Sequence, residues 1–321
     1  MIAALARFID WFGLQALSLR MARLDGENPR VEEAIRFVNG PDFIPRESQP
    51  ARLEFVPEKQ GLHFRFPSPR PSGFAENDVV PGRLYRCAGR WQDRPTIILL
   101  HGAGDFVNHR FRFPWIARHC NRLGFNAATL VLPYHFQRRP RRSEPLNRPD
   151  YLRAAETTAQ AVAEIRAMAG WLLAEGCPSV ALWGISYGGW LSGLTVCNDS
   201  RLGAAVLTVP PVRLHRTAAE VILRPGIRED WRAQRPALDV LNRTRLNLTH
   251  SRPAIPKGNI LLIECLHDLF VAKDPIEELW QAWDQPEIWR LPHGHLSFMA
   301  KPGLTARVLR WLAARTTNQT Q

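Results

Sequence analysis

Residues 179–190 read Ser-Val-Ala-Leu-Trp-Gly-Ile-Ser-Tyr-Gly-Gly-Trp, and Gly184-Ile185-Ser186-Tyr187-Gly188 inside that run has the type and spacing to do chemistry. An apolar run leads into the pentapeptide and a run rich in small residues follows it. A strand, a sharp turn and a helix are therefore expected. A serine on such a turn is held in a strained backbone conformation with its Oγ projecting above the sheet. Glycines on either side let neighbouring backbone approach closely. The helix beginning there also aims N–H groups and a positive dipole end at whatever the serine attacks.

A serine hydroxyl is a poor nucleophile until a base takes its proton, and that base needs a third group to orient it. Both lie downstream. The apolar strand Asn259–Cys265 runs into Leu266-His267-Asp268, which puts Asp268 just past a strand's carboxyl end, where open α/β sheets build their sites. The strand Glu287–Leu291 ends in Pro292-His293-Gly294-His295, and His295 is the expected base with His293 as its rival. Glu264 and Asp274 are weaker carboxylate candidates: the first lies within a strand, and the second is expected to cap the helix that Pro275 begins.

An oxyanion needs backbone donors. The unbroken apolar run Thr96–Leu100 reads as a buried parallel strand and opens into His101-Gly102-Ala103-Gly104. That turn offers N–H groups of Ala103 or Gly104, with Tyr187 supplying a second donor. His101, His135 and Arg138 sit on loops expected at the same edge of the sheet and are the candidate substrate contacts.

These four motifs, in this order, resemble the α/β-hydrolase superfamily over about Pro81 to Trp311. The run Leu132–Pro140 and the Gly-His-Leu-Ser ending resemble, more narrowly, poorly characterised bacterial α/β-hydrolases and a eukaryotic α/β-hydrolase-domain group. The resemblance implies an α/β fold: a mostly parallel central sheet, helices on both faces and a helical cap insertion. It implies a serine hydrolase, foremost a carboxylic ester hydrolase taking a small-molecule ester or acyl substrate, with no cofactor and no metal. Peptidase, thioesterase or acyltransferase chemistry could use the same triad, and a non-catalytic binding protein could use the same fold. One departure matters. The superfamily's usual Asp-x-Arg-Gly-x-Gly turn after the second core strand is replaced by Pro133-Tyr134-His135 and an arginine run.

Alternating strand and helix patterns imply βαβ units. Helices are expected at 114–123, 151–175, 274–283 and 304–314, and strands at 125–132, 180–183 and 204–209. Residues 1–80 read as an N-terminal helix and Pro-rich extension, 81–209 with 257–321 as the hydrolase core, and 210–256 as the cap.

Ile2, Leu5, Phe8, Ile9 and Phe12 fall on one helical face, which is expected to pack on its own domain. Peripheral membrane contact through residues 1–24 is the alternative, since Arg20 and Arg23 follow. No basic leader or small-residue cleavage pattern is evident, and Arg7 and Asp10 interrupt the apolar stretch. Five widely spaced cysteines suggest free thiols in a reducing, cytoplasmic compartment.

The net charge of +12 comes from 42 basic residues, of which only four are lysine, dispersed along the chain without a nucleic-acid motif. No nucleic-acid partner is expected. The one concentration, Arg138-Arg139-Pro140-Arg141-Arg142, is expected to be either a solvated loop or a cationic rim that steers acidic substrates.

Overall fold

The computed structural model describes residues 2–18, 30–58, 61–140, 150–217 and 235–316. Nine strands form one sheet: β1 (Glu54–Glu58), β2 (Gly61–Pro67), β3 (Val79–Tyr85), β4 (Thr96–Leu100), β5 (Asn126–Leu130), β6 (Val180–Ile185), β7 (Ala204–Thr208), β8 (Ile260–Cys265) and β9 (Glu287–Leu291). Their order is β1-β2-β3-β5-β4-β6-β7-β8-β9. From β5 to β9 every pairing is parallel; β1, β2 and β3 add antiparallel strands at one side. The central strands β4, β5, β6, β7 and β8 are buried throughout, as strands covered on both faces are.

The helices are α1 (Ile2–Ser18), α2 (Val31–Asn39), α3 (Phe113–Arg122), α4 (Tyr151–Ala174), α5 (Tyr187–Val196), α6 (Arg235–Leu241), α7 (Lys273–Ala282) and α8 (Leu304–Thr316). Two apolar layers sandwich the sheet. One joins α2, α4 and α5 to the sheet through residues such as Val38, Ile165, Met168, Trp190 and Leu262. The other joins α3 and α8 through Ile116, Phe113, Trp183, Val308 and Leu312. No helix among the described residues is long and apolar enough to cross a membrane.

Three sequence expectations change here: the boundary at residue 81, the buried face of the N-terminal helix and the capping role of Asp274. Residue 81 is not the edge of the core, because β1 to β3 begin at Glu54 and Phe64 and Phe66 of β2 are buried in it. The 210–256 insertion, expected as a cap, is tied to the core. Leu246 and Leu248 are buried, Trp190 Nε1 donates to the Leu246 carbonyl at 2.9 Å, and Leu248 N–H donates to the Val212 carbonyl at 3.1 Å. Residues 218–234 of that insertion lie outside the described residues.

The N-terminal helix is reversed relative to its apolar pattern. Ala6, Asp10 and Leu14 form its buried stripe, while Leu5, Phe8, Trp11 and Phe12 are exposed. An i, i+4, i+8 spacing puts the first three on one face. A buried carboxylate is costly without hydrogen-bond donors, and Asp10 faces three of them. Asp274, expected as a cap, lies inside α7 and pairs with Arg216 at 2.6 Å. The N-cap position is Ala272, which makes no side-chain cap.

Candidate active site

The strands β4, β6, β8 and β9 run in the same direction, so the loops that follow them meet at one edge of the sheet. Ser186 ends β6 and precedes α5 with φ 53° and ψ −118°, a strained combination for a non-glycine residue. Neighbouring backbone imposes it. A Cβ on Gly184 would lie 2.1 Å from the Gly188 carbonyl oxygen, and one on Gly188 would lie 2.3 Å from that of Leu100. Ser186 N–H donates to the Thr208 carbonyl at 2.8 Å, tying the turn to the neighbouring strand.

Asp268 and His295 approach the serine from β8 and β9. His295 Nδ1 is 2.7 Å from Asp268 Oδ2, and His295 Nε2 is 2.9 Å from Ser186 Oγ. The ionised carboxylate only accepts, so Nδ1 carries the proton and Nε2 presents its lone pair to the serine O–H. The second oxygen of Asp268 accepts the N–H groups of Phe270 and Val271 at 2.7 and 2.8 Å, which fixes the carboxylate. Phe270 stacks on the imidazole with centroids 4.8 Å apart. Burial opposes a charged His295 ring, but Asp268, and then Asp10 and Asp105, outweigh it and raise its pKa above 6.5.

His293 does not enter this chain of contacts. It is partly exposed, and burial together with Lys301 and His267 lowers its pKa. Glu264 is also elsewhere, paired with Arg290 at 3.1 Å.

The His101–Gly104 turn lies against the serine: a Cβ on Gly102 would sit 3.4 Å from that of Ser186. Ala103 and Gly104 are exposed, and their N–H groups meet no acceptor among the described residues. Tyr187 opens α5, so its N–H lacks an intrahelical partner.

Of the substrate-contact candidates, two are corrected. His101 is fully buried and both ring nitrogens serve backbone. Nδ1 donates to the Gly102 carbonyl at 2.8 Å, and Nε2 accepts the Leu132 N–H at 3.1 Å. The ring thereby fastens the loop after β4 to the loop after β5, and burial keeps it neutral. Arg138 is also fully buried. It pairs with Glu164 through both terminal nitrogens at 2.7 Å and donates to the Val131 carbonyl at 2.8 Å and the Asn77 carbonyl at 3.1 Å. It cannot belong to a cationic rim. Arg139 is exposed, while Arg141 and Arg142 lie outside the described residues.

His135 is half-buried and stacks on Tyr187, centroids 6.1 Å apart, which leaves it beside the elbow. It belongs to an aromatic group with His101, His109, Phe136 and Phe106. Phe136 and Phe106 were not foreseen. No sequence period marks them, because loops rather than a helix or strand bring them together.

Sheet order, strained turn and converging loops decide the architecture. The protein has the α/β-hydrolase fold. Residues 79–228 match the family model for alpha/beta hydrolase domain containing 18. That stretch includes Ser186 and stops short of Asp268 and His295. Among solved structures, the chain is similar to an acetyl xylan esterase from Paenibacillus sp. R4, with TM-score 0.58, 16% identity and 94% and 99% of the two chains covered. It is also similar to an esterase of Pyrococcus furiosus, with TM-score 0.55, 16% identity and coverage of 85% and 99%. Two curated relatives are uncharacterized proteins from two strains of Mycobacterium tuberculosis, each 28% identical over 188 residues. The match spans 55% of this α/β-hydrolase-fold chain and 43% of each relative.

Proposed function

We propose that this protein is a serine hydrolase that cleaves carboxylic esters through an acyl-enzyme on Ser186. One observation carries the reading: Ser186 Oγ, His295 and Asp268 form a continuous hydrogen-bonded relay at 2.9 and 2.7 Å. The esterase names of the structural neighbours support the ester over other acyl compounds.

Ser186 Oγ attacks the acyl carbon while His295 Nε2 takes its proton, giving a tetrahedral oxyanion. The N–H groups of Ala103 or Gly104 and of Tyr187 stabilise that charge, each worth roughly 3–4 kcal/mol in comparable sites. The carbon–oxygen bond to the alcohol then breaks, and the proton on His295 goes to the leaving alkoxide. Water, deprotonated by the same nitrogen, attacks the acyl-serine and releases the acid. Asp268 holds the imidazole tautomer throughout. His135 and Phe136 form an aromatic wall beside Tyr187, suited to the apolar part of a small ester.

A fluorophosphonate probe tests the mechanism. Wild type should be labelled on Ser186 and Ser186→Ala should not, while Ser186→Ala folds normally and loses activity on p-nitrophenyl acetate by a factor on the order of 10³ or more. Labelling at another serine, or unchanged turnover, would sink the assignment.

A further inference from the structure

Asp10 reaches the site from the far end of the chain. Its side chain is fully buried beneath α1. Oδ2 accepts the His295 N–H at 2.7 Å and the Leu269 N–H at 3.1 Å, and Oδ1 accepts the Leu296 N–H at 2.9 Å. One carboxylate therefore ties the loop carrying the base to the loop carrying the acid. The fit leaves no slack. A Cβ on Gly294 would meet Asp10 Oδ2 at 2.7 Å, and one on Gly13 would meet Leu296 Cδ1 at 2.6 Å. Three N–H groups converging on a dry anion make a charge-assisted arrangement stronger than neutral hydrogen bonds.

We propose that Asp10 is a positioning residue for His295, so that docking of α1 is required for the base to be aligned and tuned. The proposal rests on the reading of Ser186 and His295 as nucleophile and base. Asp10 acts in two ways. Its three hydrogen bonds fix where the backbone of residues 295 and 296 sits relative to Asp268, and a misplacement of about 1 Å at such a site can cost two orders of magnitude in rate. Its charge also favours the protonated ring, alongside Asp268 and Asp105, the other carboxylates acting on that imidazole. Phe270, stacked on the ring, and Ser186, hydrogen-bonded to it, add no charge.

Asp10→Asn keeps the volume, removes the charge and presents an amide N–H₂ to at least one of the backbone donors. The measurement is the second-order rate of Ser186 inactivation by diisopropyl fluorophosphate across pH. It needs no knowledge of the natural ester. The expected result is a plateau rate lower by about ten- to a hundredfold. The pH midpoint should also move downward, because the ring loses a stabilising anion and sheds its proton more readily.

Asp10→Ser, uncharged and smaller, should shift the midpoint in the same direction and serves if the amide packs badly. Leu14→Ala, which removes buried apolar packing from α1 but keeps it docked through Asp10 and its three donors, should lower Tm and leave the midpoint where it was. An Asp10→Asn protein with wild-type plateau and midpoint would overturn the proposal while leaving Ser186 and His295 in place. A wild-type protein that diisopropyl fluorophosphate does not label at Ser186 would remove the reading beneath it, and the proposal with it.

Discussion

We predict that Arg138→Gln destabilises the protein rather than altering its substrate preference. Arg138 and Glu164 are among the most deeply buried charges in the chain, with side-chain exposures of 0% and 3%. Glutamine cannot reach both Glu164 oxygens and the Asn77 and Val131 carbonyls, so Glu164 is left with Ser68 and Gln160 to face a dry interior. Breaking one partner out of such a pair costs about 3–5 kcal/mol. With roughly 2.1 cal/mol/K of unfolding entropy per residue, a chain of 321 residues loses about 0.7 kcal/mol per degree near Tm, so the melting temperature should fall by about 4–7 °C. Circular dichroism at neutral pH measures it.

The double change Arg138→Met with Glu164→Leu should recover much of the loss, since it removes both charges together. Recovery stays incomplete because the Val131 carbonyl loses its donor. The reasoning is refuted if Tm moves by less than about 1.5 °C, which corresponds to about 1 kcal/mol. It is also refuted if kcat/KM falls for an anionic ester and not for a neutral one of equal length. That outcome would return Arg138 to the pocket rim.

Three further outcomes are expected. His295→Ala should abolish fluorophosphonate labelling and His293→Ala should not. The acid limb of activity should lie above pH 6.5, because the base must be neutral to act and nearby carboxylates raise its pKa; a limb well below 6.5, or loss of labelling in the His293 variant, would contradict the assignment. Stability should also decline on acidification. Burial depresses His215 from 6.5 to about 4, and burial with Arg83 and Arg110 does the same for His109. Both stay neutral in the fold but take up a proton on unfolding, so their contribution is complete above about pH 6.5 and is lost towards pH 4. For buried His215 that window spans about 3 kcal/mol. A Tm independent of pH between 6.5 and 4, or one that falls as steeply in His215→Leu, would show the account to be wrong.

The parts of this protein that were legible in its sequence share a physical cause. Ser186 and Asp268 each follow an apolar run, His295 follows the mixed end strand β9, and parallel strands all end at the edge where sites are built. Hidden residues depend on partners that leave no local trace. Arg138 sits among other arginines and reads as solvated or as a rim; Glu164, on α4 and 26 positions away, together with the Val131 and Asn77 carbonyls, explains its burial. Asp10 interrupts an apolar pattern and reads as the helix's wet side. The groups that hold it are backbone N–H donors 259, 285 and 286 positions downstream, which every residue but proline possesses. β1 to β3 were missed for another reason: prolines at 57, 67 and 81 punctuate them, and strands near a sheet edge tolerate what central strands do not.

The arginine excess follows from the same separation of local sequence and distant partner. Many of these side chains spend their donors on loop carbonyls. Arg70 holds the Asp42 carbonyl at 2.6 Å, Arg166 holds those of Pro45 and Arg46 at 2.5 and 2.6 Å, and Arg245 holds that of Val38 at 3.1 Å. Arg112 caps Met299 and Arg315 caps Gly258 in the same way, while Arg307 lies 3.8 Å from the Trp289 ring centroid. A planar fork with five donors can bridge two carbonyls or stack on an indole; an ammonium group does either less well. Carbonyls carry no net charge, so tethers such as those of Arg70 and Arg245 hold a loop without calling for an acid, whereas Arg166 and Arg315 also pair with Asp199 and Glu287. A chain whose loops are held this way becomes strongly basic as a by-product of its own packing. Its +12 is therefore not by itself a pointer to a polyanionic partner.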